Sequence, residues 1–261
     1  MIINNDCLEE MKKMEDGAVD LTVTSPPYDN LRTYGGIDWG EHIWKPILEE
    51  LYRVTKDGGV VVWVVGDATI KGSETGTSFK QALYAKECGF NLHDTMIYKT
   101  EKPPLTHKRY EQKFEYMFIL TKGSPKIFNP LMEDKKYIDK RTNKSFSRNN
   151  DDTHSQGYCS SKTKKIIGNV WEIGSGLNND TKDRRKFKHP AVFPDKLAYD
   201  HIISWSSEGD TVFDPMCGSG TVGVEADKLG RKFIGIEINK EYCKIAEARL
   251  NLNKPQNGGI I

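Results

Sequence analysis

Two consecutive prolines follow an apolar segment near the start of the chain, in Thr24-Ser25-Pro26-Pro27-Tyr28. Proline fixes its own φ, lacks an amide donor and pushes the preceding residue into an extended conformation. The loop should therefore be rigid, with the carbonyl oxygens of Ser25 and Pro26 pointing outward. An amino group entering such a pocket can donate its protons to these oxygens and to the Ser25 hydroxyl, while Tyr28 offers a ring for stacking. Taken alone, the pattern is more typical of a plain proline turn.

A glycine-rich stretch late in the chain, residues 213–221, follows one apolar segment and precedes a helical one. Gly218 and Gly220 allow a tight turn and the close approach of a ligand to the backbone. The next apolar segment ends at Glu237, where an acidic residue of a βαβ unit can accept hydrogen bonds from ribose hydroxyls. This order predicts a nucleotide-binding turn, with a purely structural glycine turn as the alternative.

The same stretch satisfies GxGxxG from Gly218 to Gly223, and Glu237 lies 19 residues after Gly218. A nicotinamide or flavin dinucleotide site is therefore a competing interpretation. Asp214 argues against it, because a carboxylate beside the turn suits a cationic sulfonium ligand with an α-amino group better than a pyrophosphate. The rest of the chain also offers no arrangement of residues for hydride transfer.

The elements that must position these loops follow from the periodicity of apolar residues. Strands and helices alternate, which predicts a mostly parallel sheet with helices on both faces. Ligands bind at the carboxyl ends of such strands. Strands are predicted at Val19–Thr24, Val60–Val65, Leu92–Tyr98, Phe114–Leu120, Thr211–Phe213 and Lys232–Ile238, and helices at Leu8–Met14, Ile43–Val54, Ser78–Cys88, Asp195–Trp205, Thr221–Leu229 and Lys240–Leu250.

The composition changes between residues 127 and 188, where aliphatic residues become scarce. Such a segment buries little surface by itself, so a small irregular module is expected, with one strand within Ile166–Ile173. Residues 122–188 contain 16 Lys and Arg against 8 Asp and Glu, although the whole chain has a net charge of only +1. We call residues 122–188 the basic segment, and we expect it to face either a polyanion or simply the solvent.

The bulk properties exclude several classes of protein. The sequence has no apolar run of about 18 residues for a membrane span, and its first ten residues do not resemble a signal peptide, so a cytoplasmic location is expected. No metal site is predicted, because the spacing of the cysteines fits neither a zinc site nor a disulfide framework. The cysteines are Cys7, Cys88, Cys159, Cys217 and Cys243.

Together the two loops make the chain resemble the DNA amino-methyltransferases, in the permuted order called the β group. In that family a catalytic [DNS]PPY motif is followed by a target-recognition region and then by the cofactor motif. Ser25–Tyr28, the basic segment and Asp214–Thr221 stand in this order. The family's HP…P segment is matched by His189-Pro190-Ala191-Val192-Phe193-Pro194, and its acidic residue after the first strand by Asp6.

The resemblance covers nearly the whole chain outside the basic segment. It implies an α/β, Rossmann-like methyltransferase fold, with a mostly parallel seven-stranded sheet, helices on both faces and a small inserted recognition region. The catalytic part would span residues 1–126, the target-recognition insert 127–188 and the cofactor-binding part 189–261.

The resemblance implies S-adenosyl-L-methionine as cofactor. Asp6 would bind its adenine amino group and Glu237 its ribose, while Asp214 and Gly218 would hold its methionine part. The implied catalytic residues are Ser25, Pro26, Pro27 and Tyr28, and the implied cofactor-binding residues are Asp6, Thr24, His189, Pro190, Phe193, Asp214, Pro215, Cys217, Gly218, Ser219, Gly220, Thr221, Glu237 and Asn239.

The implied reaction transfers a methyl group directly to an exocyclic amino nitrogen of a base flipped out of the helix. Methylation of cytosine C5 is disfavoured, because it requires a cysteine nucleophile and the sequence has no Pro-Cys pair. In the family, a serine at the first motif position accompanies cytosine N4 more often than adenine N6. Ser25 therefore favours cytosine N4, and adenine N6 remains the alternative.

Double-stranded DNA is the expected partner, contacted through basic residues. The sequence leaves open whether a separate restriction endonuclease accompanies the enzyme, and whether the enzyme is a monomer or a homodimer. Methylation of RNA or protein, and a binding protein without activity, are less favoured alternatives. The predicted DNA-binding residues are Arg32, Lys182, Arg184, Arg185 and Lys186.

Overall fold

The computed structural model describes most of the chain, in seven stretches. These are residues 1–29, 39–100, 110–135, 144–148, 154–158, 163–174 and 193–253. Within these stretches, no helix combines the length and the apolar character that crossing a membrane requires.

The elements before the basic segment follow the apolar pattern closely. They are β1 (Ile2–Asn4), α1 (Cys7–Met11), β2 (Val19–Thr24), α2 (Glu41–Val54), β3 (Thr55–Val65), β4 (Thr69–Ile70), β5 (Ser73–Glu74), α3 (Thr77–Glu87), β6 (Asn91–Lys99) and β7 (Phe114–Thr121). Val60 to Val65 in β3 are all buried. Successive side chains of a strand point to opposite faces, so both faces of the sheet are covered at β3.

The remaining elements belong to two compact units of the chain. Residues Pro130–Gly168 form the smaller unit, and Met1–Asn129 with Asn169–Ile261 form the larger one. The smaller unit contains β8 (Met132–Asp134), β9 (Lys144–Arg148), β10 (His154–Tyr158) and β11 (Lys164–Ile166), and the larger contains β12 (Val170–Glu172), α4 (Asp195–Trp205), β13 (Thr211–Asp214), α5 (Thr221–Lys228), β14 (Lys232–Glu237) and α6 (Lys240–Asn253).

The larger unit is built on one sheet with the strand order β1-β14-β13-β2-β3-β7-β6-β12. β7 pairs antiparallel with both of its neighbours, whereas the other pairings of this sheet are parallel. The carboxyl ends of β1, β14, β13, β2 and β3 therefore meet at one edge. The beginning of β7 lies at that same edge, because this strand runs in the opposite direction.

The smaller unit consists of two antiparallel pairs, β8 with β11 and β9 with β10. It lies within the predicted insert of residues 127–188. The strand expected within Ile166–Ile173 is divided differently: β11 ends at Ile166, and Val170–Glu172 pairs with β6 of the large sheet. β12 thus adds an eighth strand to the seven that were expected.

The core against one face of the sheet is formed by α1, α2 and α3. Leu48 and Leu51 of α2 are fully buried there, as the helical spacing of its apolar residues predicts. Trp63 of β3 packs into the same cluster, and its indole donates to the side-chain oxygen of Gln81 on α3 at 2.8 Å. This buried hydrogen bond fixes α3 against β3, the strand that pairs with β2 and ends beside the proline loop.

Candidate active site

The end of β2 and the end of β13 are joined by one buried hydrogen bond. Thr24 Oγ1 donates to Asp214 Oδ1 at 2.8 Å, although the two residues are 190 positions apart in the chain. The amide of Met216 donates to the same oxygen at 3.1 Å. The bond between Thr24 and Asp214 ties the proline loop directly to the glycine-rich turn, as the parallel order of β13 and β2 allows.

Asp214 is almost completely buried, and its burial raises the pKa of its carboxyl to about 7. The hydrogen bonds from Thr24 and Met216 act in the opposite direction, since they favour the charged form and lower the pKa. No cationic side chain among the described residues forms an ion pair with Asp214. A buried carboxylate in this situation is suited to a ligand that carries its own positive charge.

The glycine-rich turn is as tight as the sequence predicts. Gly218 and Gly220 have left-handed φ values of 51° and 76°, which glycine adopts without steric cost. A Cβ on Gly220 would lie 2.8 Å from the Cβ of Ala246 on α6. The turn therefore requires glycine at position 220 both for its φ and for the approach of α6.

Arg249 of α6 forms hydrogen bonds to the glycine-rich turn. No sequence motif predicted this role of Arg249. Its guanidinium donates to the carbonyl of Ser219, to the Ser219 hydroxyl at 3.3 Å and to the Thr221 hydroxyl at 3.1 Å. Only 2% of Arg249 is exposed. A cation at a core-facing position of an amphipathic helix was the available signal, since arginine is rarely buried without partners.

Glu237, at the end of β14, accepts hydrogen bonds from the backbone on both sides. The amide of Gly218 donates to Oε2 at 2.9 Å, and the amide of Asn239 donates to Oε1 at 2.8 Å. Burial raises the pKa of Glu237 as well. Each carboxylate oxygen can accept more than one hydrogen bond, so the arrangement leaves capacity for ligand hydroxyls.

Asp6 follows β1 at the same edge and caps the beginning of α1. Its Oδ1 accepts from the amides of Leu8 at 2.9 Å and Glu9 at 3.1 Å. β1 pairs with β14 so that Asn4 lies opposite Glu237. The acidic residues predicted to bind the cofactor, Asp6 and Glu237, thus follow neighbouring strands, and Asp6 keeps its second oxygen outside the cap.

The proline loop carries a short chain of hydrogen bonds. Ser25 Oγ and Tyr28 Oη lie 3.0 Å apart, and Tyr28 Oη donates to Glu115 Oε2 at 2.8 Å. Glu115 is the second residue of β7, and no sequence motif marked it. The Tyr28 ring packs over Gly66, where an added Cβ would lie 3.4 Å from the nearest ring carbon.

A second set of hydrogen bonds holds the residue that follows Tyr28. Asp29 has a φ of 47°, which is uncommon for a residue with a side chain. Its Oδ2 accepts from the amide of Ala68 at 3.2 Å and from the Thr75 hydroxyl at 2.6 Å. These bonds join the proline loop to the two ends of the β4–β5 hairpin.

The structure describes some of the other predicted site residues and leaves the rest outside its described residues. Phe193 is half-buried just before α4, Pro215 and Cys217 are buried in the turn, and Asn239 accepts from the amide of Glu241 at the start of α6 at 2.9 Å. Seven predicted residues lie outside the described residues: Arg32, Lys182, Arg184, Arg185, Lys186, His189 and Pro190.

Comparison with known proteins decides the family. The model of the DNA methylase family N6_N4_Mtase matches residues 19–248. The chain belongs to this family of DNA amino-methyltransferases. The orphan methyltransferase M.BamHII of Bacillus amyloliquefaciens is 53% identical to this methyltransferase over 240 residues, which cover 90% of the chain and 89% of M.BamHII.

More distant relatives cover as much of this methyltransferase. The DNA adenine methyltransferase YhdJ of Escherichia coli K12 is 27% identical over 259 residues, covering 96% of the chain and 74% of YhdJ. Among solved structures, the cytosine-N4-specific PvuII DNA methyltransferase has a TM-score of 0.69 at 20% identity, covering 95% of this chain and 85% of that one. At this identity the likeness concerns the fold, which is the expected Rossmann-like one.

Family membership makes this chain an S-adenosylmethionine-dependent DNA methyltransferase. The turn fits that cofactor, because the buried Asp214 carboxylate and the glycines of the turn suit a compact ligand with a sulfonium and an ammonium group. The dinucleotide interpretation of the GxGxxG pattern is not supported. A pyrophosphate would bring further negative charge toward Asp214.

Proposed function

We propose that this methyltransferase methylates the exocyclic amino group of a base flipped out of double-stranded DNA, with cytosine N4 as the favoured target. The observation that carries the proposal is the 2.8 Å hydrogen bond between Thr24 and Asp214. It brings the proline loop and the nucleotide-binding turn into direct contact. A reaction between two bound partners depends mainly on such positioning.

On the cofactor side, we assign a role to each acid at the edge of the sheet. Asp214 with Gly218 holds the methionine part, Glu237 holds the ribose, and Asp6 accepts from the adenine amino group. The assignment is supported by the position of all three acids after neighbouring strands of the sheet. Thr24 and the amide of Met216 stabilise the charged form of Asp214, which is the form that attracts a cation.

On the base side, Ser25 and the carbonyl of Pro26 accept protons from the target amino group, and Tyr28 stacks against the base. When bound, S-adenosylmethionine supplies an electrophilic methyl group on sulfur. Ser25 and Pro26 orient the amino nitrogen so that its lone pair faces that methyl group. Pro27 keeps the loop rigid, so little reorganisation is needed at the moment of transfer.

The choice of base rests on Ser25. Serine at this motif position accompanies cytosine N4 more often in the family, so we favour cytosine. Adenine N6 is the second candidate, because a relative at 27% identity is named a DNA adenine methyltransferase. A hydroxyl can accept a proton from either amine.

We further propose that residues 127–188 recognise the DNA, between a catalytic part at residues 1–126 and a cofactor-binding part at 189–261. The excess of Lys and Arg in residues 122–188 supports contact with phosphates. Arg32, Lys182, Arg184, Arg185 and Lys186 remain the proposed contacts. The name of M.BamHII, an orphan methyltransferase, favours an enzyme that acts without a dedicated endonuclease.

The proposal is tested by transfer of a labelled methyl group from S-adenosylmethionine to duplex DNA of mixed sequence. Wild-type protein should label the DNA, and Ser25→Ala should lower the rate by roughly tenfold or more, because one acceptor of the target amine is removed. Ser207→Ala, at an exposed serine after α4, is the matched control and should retain the wild-type rate. Equal rates for both variants would contradict the role of Ser25, and unlabelled DNA would contradict the function.

A further inference from the structure

Glu115 lies at the edge of the sheet where the parallel strands end, because its own strand, β7, runs in the opposite direction. β7 is antiparallel to β3, so its second residue lies where the parallel strands end. In the neighbouring pairing, Glu115 lies opposite Tyr98 of β6. The carboxylate therefore sits on a rigid strand rather than on a loop, which favours a precise orientation.

Space for the contact between Glu115 and Tyr28 is provided at Gly66. A Cβ on Gly66 would lie 3.4 and 3.5 Å from two ring carbons of Tyr28, and 3.8 Å from Cγ of Glu115. The ring of Tyr28 thus rests against backbone, and its hydroxyl reaches Glu115 Oε2 at 2.8 Å. The contact is built into the packing of three separate segments of the chain.

The direction of the hydrogen bonds follows from counting protons. A phenol has one proton to donate, and a carboxylate has none. If Tyr28 donated to Ser25, the oxygens of Tyr28 and Glu115 would face each other at 2.8 Å with no proton between them. The donation therefore runs from Ser25 to Tyr28 and from Tyr28 to Glu115.

We propose that Glu115 is a positioning residue that sets the hydrogen-bond polarity of the catalytic serine through Tyr28. With its own proton committed to Tyr28, the Ser25 oxygen presents only lone pairs to the pocket. It then accepts from an amino group and discriminates against a carbonyl or an unprotonated ring nitrogen. This inference rests on the proposed function, because it assumes that Ser25 receives the target amine.

The test compares Glu115→Gln, Tyr28→Phe and the double variant with the wild-type enzyme. Gln keeps the length of the side chain but removes the charge that makes Glu115 an obligate acceptor. Calorimetry measures S-adenosylmethionine affinity, gel shift measures DNA affinity, and rapid quench measures the single-turnover rate. Glu49→Gln, which changes an exposed carboxylate of α2 that accepts a hydrogen bond from Tyr84, is the matched control.

Each single variant should lower the single-turnover rate by roughly tenfold or more, with both affinities within about twofold of wild type. The single-turnover rate of the double variant should lie within about twofold of the rate of the slower single variant, because both changes break the same chain of hydrogen bonds. Glu49→Gln should behave as wild type.

A wild-type rate in Glu115→Gln, or rate reductions that multiply in the double variant, would overturn the inference. Reductions in affinity that match the reduction in rate would overturn it too, since they indicate a purely structural role. A wild-type enzyme that transfers no methyl group to DNA would overturn the proposed function itself. Methyl transfer by the wild-type enzyme thus distinguishes a failure of the Glu115 inference from a failure of the proposed function.

Discussion

At the scale of single residues, the fold changes the pKa of the Asp214 carboxyl. Burial raises the pKa of its carboxyl to about 7, while Thr24 and the amide of Met216 oppose that rise. In the unfolded chain the same group titrates near 4. Asp214 therefore stabilises the fold most when it is protonated, and this contribution is lost as the pH rises from about 4 to about 7.

Cofactor affinity should rise with pH between about 5.5 and 7.5. Ionised Asp214 attracts the cationic ligand, and the ligand's own α-amino group keeps its proton over this range. Asp214→Asn should weaken binding and remove this pH dependence, whereas Asp227→Asn, at an exposed position of α5, should change neither. Calorimetry over the pH range measures both. A pH dependence that survives in Asp214→Asn would contradict the assignment.

At the scale of elements, the glycine-rich turn is held between β13 and α6. Gly220 begins α5 with a φ of 76°, and its Cα faces Ala246 of α6 closely. Arg249, one turn further along α6, donates three hydrogen bonds to Ser219 and Thr221. The last helix thus determines the shape of the turn to which we assign the cofactor.

Gly220→Ala should lower the free energy of unfolding by more than Gly209→Ala. Both glycines have a left-handed φ, which costs a side-chain-bearing residue about 1–2 kcal/mol. Only at Gly220 does a Cβ also meet Ala246, since nothing lies within 4 Å at Gly209. Overpacking should add about 1–3 kcal/mol. Urea unfolding measures the difference, and equal reductions would contradict the close approach of α6.

The periodicity of apolar residues alone predicted most helices and strands, because each face of these elements is either buried or exposed along its length. β2 and α4 have the bounds that the sequence predicts, and both loops of the site follow from Pro, Gly and acidic residues at fixed offsets. Glu115 and Arg249 were missed, since their partners are set by the antiparallel direction of β7 and by the packing of α6. Neither relation is encoded in local sequence.

At the scale of the whole molecule, a basic segment stands between the proline loop and the glycine-rich turn in the chain. Residues 122–188 hold 16 Lys and Arg against 8 Asp and Glu, and part of them forms the smaller unit, Pro130–Gly168. When such a segment binds phosphates it releases counterions, so DNA affinity should fall steeply with salt.

Replacing Lys182, Arg184, Arg185 and Lys186 together by alanine should weaken DNA binding and flatten its salt dependence. The slope of log affinity against log salt should fall by up to about 0.9 for each phosphate that the variant no longer neutralises. Cofactor affinity should stay unchanged. The matched control removes four cations from exposed positions of the larger unit: Lys12, Lys13, Lys86 and Lys228. Equal slopes for the two variants would contradict recognition through the basic segment.

In the reaction that we propose, the proline loop presents an exocyclic amino group to the cofactor. Its most direct test is mass spectrometry of nucleosides from duplex DNA incubated with the enzyme and S-adenosylmethionine bearing a deuterated methyl group. We expect the label in N4-methylcytosine. Label in N6-methyladenine would make adenine the target base and leave amino-methylation intact, whereas label in 5-methylcytosine, or none in DNA, would contradict transfer to an exocyclic amino group.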